Sequence, residues 1–290
     1  MEIITTLING LSIGGIYAMI ALGYTMVYGI AKMLNFAHGD IIMVGGYTIY
    51  VFMMMTGHPF IAILAAIIFC TLLGITIERV AYKPLRGASP LAVLITAIGV
   101  SYLLQSLAQI IFGSAPKMVN IFELGTVKIG SMKIQVATLL TLACTIVVMA
   151  ALSIFVKYTK MGRAMIATSE DRDATQLMGI NVNMVITVTF AIGSALAAIA
   201  GLFYLLKSPS ISNTFGSMPG IKAFTAAVIG GIGSIPGAMI GGIFLGIIEC
   251  ISYKIPALAA YTDAIEFLIL IVILLVKPTG ILGKKRKEKV

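Results

Sequence analysis

IITTLINGLSIGGIYAMIALGYTMVYGI, residues 3–30, runs for 28 positions without a charged side chain. About 20 apolar residues carry a helix across the roughly 30 Å of a bilayer's hydrocarbon, so this stretch reads as a membrane helix. Glu2 stands before it and no Lys or Arg does. The basic leader of a secretory signal is missing, and the segment is expected to remain as the first crossing.

Outward from it the pattern recurs. Further apolar blocks lie at Ile41–Met55, Phe60–Ile77, Leu91–Phe112, Ile134–Val156, Met184–Leu206, Ala223–Ile251 and Ala264–Val276. Backbone amides in lipid must bond within their own segment, and the blocks show no ten-residue alternation of the barrel type. The fold class is therefore all-α: a polytopic integral membrane protein of about eight to ten helices, some broken or half-length, in one transmembrane domain over residues 1–290. Composition agrees, with 59% hydrophobic and 11% charged residues and a mean hydropathy of +1.06, where a soluble domain is about 25% charged.

The net charge of +9 would suggest nucleic acid in a soluble chain. Here the bases sit between apolar blocks, so they read as topology and no nucleic-acid partner is expected. Placing Lys32, the Arg79–Pro90 loop, the Lys157–Asn183 loop and the tail from Lys277 in the cytoplasm puts 14 of the 20 bases inside. Lys117, Lys128, Lys133, Lys207, Lys222 and Lys254 then fall outside. Eight single crossings would strand the KKRKEK tail on the wrong side. Ala223–Ile251 is long enough to cross twice and is interrupted by GGIGSIPG, Gly230–Gly237, whose glycine, serine and proline favour a turn. Nine crossings result.

Cys70, Cys144 and Cys250 each sit within an apolar block, with no CxxC spacing, and read as small core residues. No GxxxxGK[ST] pattern occurs, so the chain is not expected to hold ATP in the P-loop manner. No cofactor is expected in this chain, and any ATP-driven work falls to a partner.

Three polar interruptions carry what chemistry there is. The first is LNFAHGD, Leu34–Asp40, and the second is Gly230–Gly237. Glycine pairs follow both, Gly45-Gly46 and Gly241-Gly242, suited to close helix packing or to unwound backbone facing a cavity. Asn35, His38, Gly39 and Asp40 from the first break and Gly231, Gly233 and Ser234 from the second are candidate path residues; they would equally serve as cytoplasmic turns. The other histidine, His58, lies at an extracytoplasmic turn, which leaves no metal-ligand cluster.

The third interruption is KYTKMGRAMIATSEDRDATQLMGINVN, Lys157–Asn183. Thr168 followed by Asp171 fits a capping box, Glu170 and Asp171 suit a helix N-terminus, and Gly179 suits the left-handed position after its end. A short helix over about Ser169–Met178 is expected, with Ala174, Leu177 and Met178 apolar, Ile180 closing the cap and Arg163 anchoring the approach. Such a helix is built to dock on something.

At this point LINGLSIGGIYAMIALGYTMVYGIAKMLNFAHGDIIMVGGY, AYKPLRGASPLAVLITAIGVSYLL, GRAMIATSEDRDATQLMGINV and VIGGIGSIPGAMIGG together resemble the LivH-type permeases of bacterial branched-chain amino acid ABC importers, over nearly the whole chain. The resemblance implies a multi-pass protein of the bacterial cytoplasmic membrane whose fold is similar to the vitamin B12 and ribose permeases. It implies three kinds of partner besides lipid: a second, LivM-like permease, two cytoplasmic ATPase subunits that bind the ATP, and an extracytoplasmic substrate-binding protein. The 157–183 segment would then couple to the ATPases through Arg163, Glu170, Asp171, Ala174, Leu177, Gly179 and Ile180, in the place of an EAA-type motif that is not itself spelled here. Relatives of similar sequence carry urea, short amides or other amino acids, so the substrate stays open on the resemblance alone.

Two rivals remain. An ion-coupled secondary transporter would need ionisable groups in mid-membrane, and the acids in reach, Glu78, Glu249, Asp40 and Glu266, lie near block ends. An integral-membrane enzyme would need a nucleophile with its base, a paired-acid cluster or a metal set. None of these appears.

Overall fold

The computed structural model describes residues 2–122, 124–129 and 132–283. Its first helix, α1 (Glu2–Ala31), is followed by α2 (His38–Thr56), α3 (Pro59–Ile77), which continues through a π-turn and a 3-10 turn to Leu85, and α4 (Pro90–Phe112). After a small outer segment come α5 (Val136–Tyr158), the short pair α6 (Lys160–Glu170) and α7 (Arg172–Leu177), and α8 (Val182–Lys207). The chain closes with α9 (Ser217–Gly230), α10 (Ile235–Lys254), α11 (Pro256–Ala259) and α12 (Thr262–Val276). Among the described residues seven helices are long and apolar enough to cross a membrane. With the 14-residue α9 and the 15-residue α12 the bundle is that of a polytopic membrane protein with half-length members.

The outer segment is a hairpin of β2 (Thr126–Ile129) and β3 (Met132–Gln135), while β1 (Lys117–Met118) pairs antiparallel with β4 (Ser210–Ile211) beyond the end of α8. Both pairs lie on the side assigned outside by the charge count. The tail bases from Lys284 onward, on which that count leans, lie outside the described residues, as does Glu123.

The centre of the bundle is α1, whose Ile16–Leu22 stretch is wholly buried. It packs against α10, α8, α9 and α5. The approach to α10 is made by glycines: a Cβ at Gly14 would lie 2.7 Å from Ile243 Cα, and one at Gly246 would overlap Gly14. Without a hydrophobic force between helices in lipid, such close backbone packing supplies the association. Gly45 against Ala198 and Gly242 against Ala18 show the two glycine pairs working as packing surfaces too.

The peripheral helices look different. Leu64, Leu72 and Ile68 on α3, Leu103 and Ile110 on α4 and Leu275 on α12 are exposed on the isolated chain. Lipid or other membrane helices cover them.

Candidate functional site

The first break folds back into the bundle. α1 ends at Ala31, and Lys32 takes a left-handed φ of 52°. Its ammonium bonds the Gly29 carbonyl, closing the turn. The chain then runs back alongside α1, so that the His38 ring occupies the space where a Cβ of Gly23 would stand. Gly23 precedes the end of α1 by eight residues, about 12 Å at the helical rise. LNFAHGD is thus a re-entrant segment, where a turn at the cytoplasmic surface would equally have fitted the sequence.

Asn35, His38, Gly39 and Asp40 are all buried. The Tyr82 hydroxyl donates to Asn35 Oδ1 at 2.9 Å, and the Tyr24 ring stands edge-on to His38 at 4.7 Å. Asp40 accepts from the Ser101 hydroxyl and, at 2.9 Å, from Gln105 Nε2, both on α4.

A second re-entry meets it from the opposite side. After β4 the chain returns along α8, with Phe215 against Tyr204 at 5.1 Å, and α9 starts beside α2. Gly216 packs on Gly39, where an added Cβ on Gly39 would stand 2.7 Å from the Gly216 carbonyl oxygen. Two helix N-termini therefore meet inside the bundle, and neither carries a side-chain cap. Turn carbonyls take several of the first N–H groups, as Asn35 does for His38 and Thr214 for Ser217; the aligned helix dipoles still make a positive pole, which the Asp40 carboxylate in the first turn of α2 offsets. Gln105 ties the two helices, lying also 3.4 Å from Ser217 Oγ.

Ser101, Gln105, Ser217 and Gly216 were not among the residues expected at the path. The signal that would have found the first two was their spacing, polar residues four apart inside an apolar block.

Gly231, Gly233 and Ser234 sit elsewhere. They form the turn between α9 and α10, with φ of 108° at Gly231 and 93° at Gly233, and Ser234 caps α10 by accepting from Gly237 N at 3.2 Å. The segment after α12 folds over this turn, its Ile281 and Leu282 amides donating to the Ile229 and Gly230 carbonyls at 2.8 and 2.9 Å. The two breaks approach only at one edge, where Leu34 and Asn35 share a narrow cleft with Ile232, Tyr24 and Phe224. Gly39 and Asp40 face the start of α9, and Gly231–Ser234 lie beyond its end.

Residues 157–183, expected in the cytoplasm, form two short helices where the sequence predicts one. Thr159 caps α6 by accepting from Gly162 N at 2.9 Å. Thr168 is no cap: it lies buried within α6, its hydroxyl bonded to the Ala164 carbonyl at 2.8 Å. Asp171 breaks the helix and caps α7 instead, accepting from Ala174 N at 2.9 Å. Asp171 competes better than Thr168 because its extended backbone, φ −152° and ψ 114°, releases the carboxylate to reach forward.

Gly179 takes φ 81°, and the Gly179 and Ile180 amides return to the Gln176 and Thr175 carbonyls at 3.0 and 3.3 Å, as a glycine-terminated helix requires. Ile180 turns inward against the core. Arg163, Glu170 and Ala174 are exposed, and Leu177 and Met178 present 88% and 81% of their surface. Arg172, not singled out in the sequence, reaches back to the end of α1, its Nη2 donating to the Ile30 carbonyl at 3.1 Å. Burial, and then the Arg86 charge, hold its guanidinium below the ordinary arginine value. Arg86 itself pairs with the buried Glu78, which also accepts from Thr187 at 2.8 Å.

Two further acids lie inside the bundle. Lys222, which the charge count placed in an outer loop, is a buried residue of α9. Its ammonium stands 3.1 Å from Glu249 of α10 and 2.8 and 3.3 Å from Asp263 and Glu266 of α12. A hydropathy window counts a lysine as a loop marker, whereas three carboxylates make its burial tolerable.

Residues 6–274 match the family described as branched-chain amino acid transport system / permease component. The chain is similar to the high-affinity branched-chain amino acid transport system permease protein BraD of Pseudomonas aeruginosa, with 43% identity across 98% of this chain and 97% of that one. It is similar to the permease LivH of Escherichia coli K12, at 45% identity across 97% of this chain and 96% of the relative. A probable LivH of Methanocaldococcus jannaschii is 27% identical over 93% of this chain and 89% of that one. A re-entrant, polytopic bundle that matches these permeases from end to end belongs to the family of branched-chain amino acid transport system permease components.

Proposed function

We propose that the chain is the membrane-embedded permease subunit of an ATP-driven importer. Set in the bacterial cytoplasmic membrane, it takes branched-chain amino acids from an extracytoplasmic binding protein and releases them to the cytoplasm. The observation that carries this reading is the full-length similarity to LivH and BraD, both described as high-affinity branched-chain amino acid permeases.

The chain works as a transporter and not as an enzyme, and it holds no cofactor of its own. Two cytoplasmic ATPase subunits bind and hydrolyse the ATP, docking on α6 and α7 where Leu177 and Met178 are bare. A second, LivM-like permease covers part of the exposed helix faces. Residues 157–183 act as the coupling segment of one transmembrane domain.

The substrate chemistry supports the reading. A branched-chain amino acid is a zwitterion with an apolar side chain, so its path needs local dipoles for two charged ends and an apolar wall for the rest. The junction of α2 and α9 offers the positive ends of two helix dipoles for a carboxylate, Asp40 for an ammonium, and the rings of Tyr24 and Phe224 nearby. Ion coupling is the weaker alternative, because the buried acids Glu249 and Glu266 are already engaged by Lys222.

Purification from the native membrane tests the class: two ATPase subunits and a second permease should co-elute. Uptake of labelled leucine by the reconstituted complex, competed by isoleucine and valine and not by urea, tests the substrate. Elution of the chain without an ATPase, or uptake driven by an ion gradient alone, overturns the proposal.

A further inference from the structure

Membrane helices turn apolar residues to lipid, and α4 does so over only part of its exposed surface. At 100° per residue, Gln109, Tyr102, Ser106 and Gly99 fall in one arc of about 80°, and all four are exposed. Leu103, Leu107 and Ile110 cover the adjoining arc and are exposed as well. In its half toward Phe112 the helix thus carries two bare faces of opposite chemistry side by side, while Leu91 and Ile95 make the same arc apolar in the half toward Pro90. Tyr102 alone leaves 66% of its surface uncovered.

The polar face is not isolated. Along its other edge the helix turns to Gln105 and Ser101, the residues that hold Asp40, so a continuous polar band runs from the exposed arc to the meeting point of α2 and α9. At its outer end Gln109 accepts from Asn213 Nδ2 at 3.4 Å, on the side where a binding protein would deliver. Nothing stands within 4 Å of the position a Cβ would take at Gly99.

Polar groups against hydrocarbon are costly and ordinarily face the bundle interior or a water-filled cavity. None of the four arc residues carries a charge. Tyr102, Ser106 and Gln109 supply neutral hydrogen-bonding groups and Gly99 supplies room beside them, which suits a solute with no net charge and gives ions no counter-charge.

We infer that Gly99, Tyr102, Ser106 and Gln109 form the wall of a water-filled path along which a zwitterionic amino acid passes from the outer surface to the Asp40–Gln105–Ser217 junction. The inference rests on the permease reading and adds to it the helix face that the substrate touches.

Single cysteines decide it. With Cys70, Cys144 and Cys250 replaced by alanine, Tyr102→Cys, Ser106→Cys, Leu103→Cys and Leu107→Cys are each built into the full complex in membrane vesicles. A membrane-impermeant, charged thiol reagent is then added from outside. Tyr102→Cys and Ser106→Cys should be labelled, labelling should abolish leucine uptake, and saturating leucine should suppress it. Leu103→Cys and Leu107→Cys should stay unlabelled. Ser106→Cys differs from the native residue by one atom, so it serves if Tyr102→Cys fails to assemble. Absence of labelling on both faces would place lipid against the arc and overturn the inference, and cross-linking of Tyr102→Cys or Ser106→Cys to another membrane chain without labelling would overturn it by assigning the arc to a dry protein contact. Labelling that urea blocks and leucine does not would keep the path and sink the amino-acid reading alone.

Discussion

Arg172 on α7 donates to the carbonyl of Ile30 at 3.1 Å, and Ile30 lies two residues before Lys32 turns the chain back toward His38. One side chain therefore joins α7 to the start of the re-entrant segment. A hydrogen bond from a charged donor contributes about 1.5–3 kcal/mol. Should residues 157–183 transmit movement as proposed, a contact of this size would be enough to bias a two-state turn at Lys32.

Arg172→Ala should leave insertion and subunit assembly intact while leucine uptake per ATP hydrolysed falls. Arg172→Lys keeps a donor and should recover part of the ratio. The ratio is measured in reconstituted vesicles with binding protein present, and an unchanged ratio in the alanine variant would remove this contact from the coupling route.

Leu177 and Gly179 separate docking from shape. Leu177 is bare, so Leu177→Asp costs little within the chain but places a charge where an ATPase would bury a leucine. Gly179 has open space where a Cβ would go, so Gly179→Val is penalised only through its positive φ, by about 1–3 kcal/mol, and through the redirection of Ile180. Both variants should lose substrate-stimulated ATP hydrolysis while the permease still pairs with its partner. Full stimulation in both would show that the ATPases grip another surface.

How far these features were legible follows from the kind of signal each one leaves. The helical, polytopic class was legible, because an apolar block either is long enough to span the hydrocarbon or is not, and GGIGSIPG and Gly179 mark backbone that only glycine takes readily. Depth was not. LNFAHGD reads the same whether it lies at the surface or inside the bundle, and its re-entry is fixed by contacts with Gly23 and Gly216, far apart in sequence. Ser101 and Gln105 were masked by the apolar residues around them, and Lys222 by the assumption that a lysine marks a loop. Thr168 and Asp171 were read as two ends of one cap, when the segment holds two helices with a cap each.

Asp40 is expected to matter through its charge. Asp40→Asn keeps the shape and an acceptor for Gln105, and should preserve assembly. It removes the negative group that offsets two helix N-termini and would meet a substrate ammonium. Uptake of leucine should fall well below that of the parent complex at equal membrane levels, while Asp40→Ala should also lower thermal stability by removing the acceptor that Ser101 and Gln105 share, at about 1–3 kcal/mol. Normal uptake by Asp40→Asn would assign the residue a packing role.

The turn at Gly231–Ser234 gives a graded test. Gly233 has φ 93° with its nearest neighbour to an added Cβ, the Gly29 Cα, 3.8 Å away, whereas Gly231 combines φ 108° with a Cβ position 2.5 Å from Gly283 N. Gly233→Val should lower transport without loss of the protein. Gly231→Val, which must also displace the segment covering the turn, should reduce membrane levels as well. Immunoblots set beside uptake distinguish the two, and equal behaviour would show that the covering segment adds nothing.

Lys222 is the one position where a single change should unfold a corner of the bundle. Its ammonium faces Glu249, Asp263 and Glu266, and α12, which brings two of those acids, packs against α9 and α10. Glu266 is wholly buried and Asp263 is about half exposed, at 0% and 49% of side-chain surface, so water screens Asp263 and leaves Glu249 and Glu266 as the acids that depend on the lysine. Removing one partner of a buried ion pair costs about 3–5 kcal/mol, because the charges left behind are uncompensated. Lys222→Met should therefore lower the melting temperature of the purified complex and release α12 to proteolysis. Neutralising the remaining acids relieves the cause, so Lys222→Met combined with Glu249→Gln and Glu266→Gln should regain much of the lost stability. If the triple variant is as labile as Lys222→Met, the lysine acts through packing of its stem and not through its charge; if it is stable and transports leucine, the cluster is a structural clamp and plays no part in ion coupling.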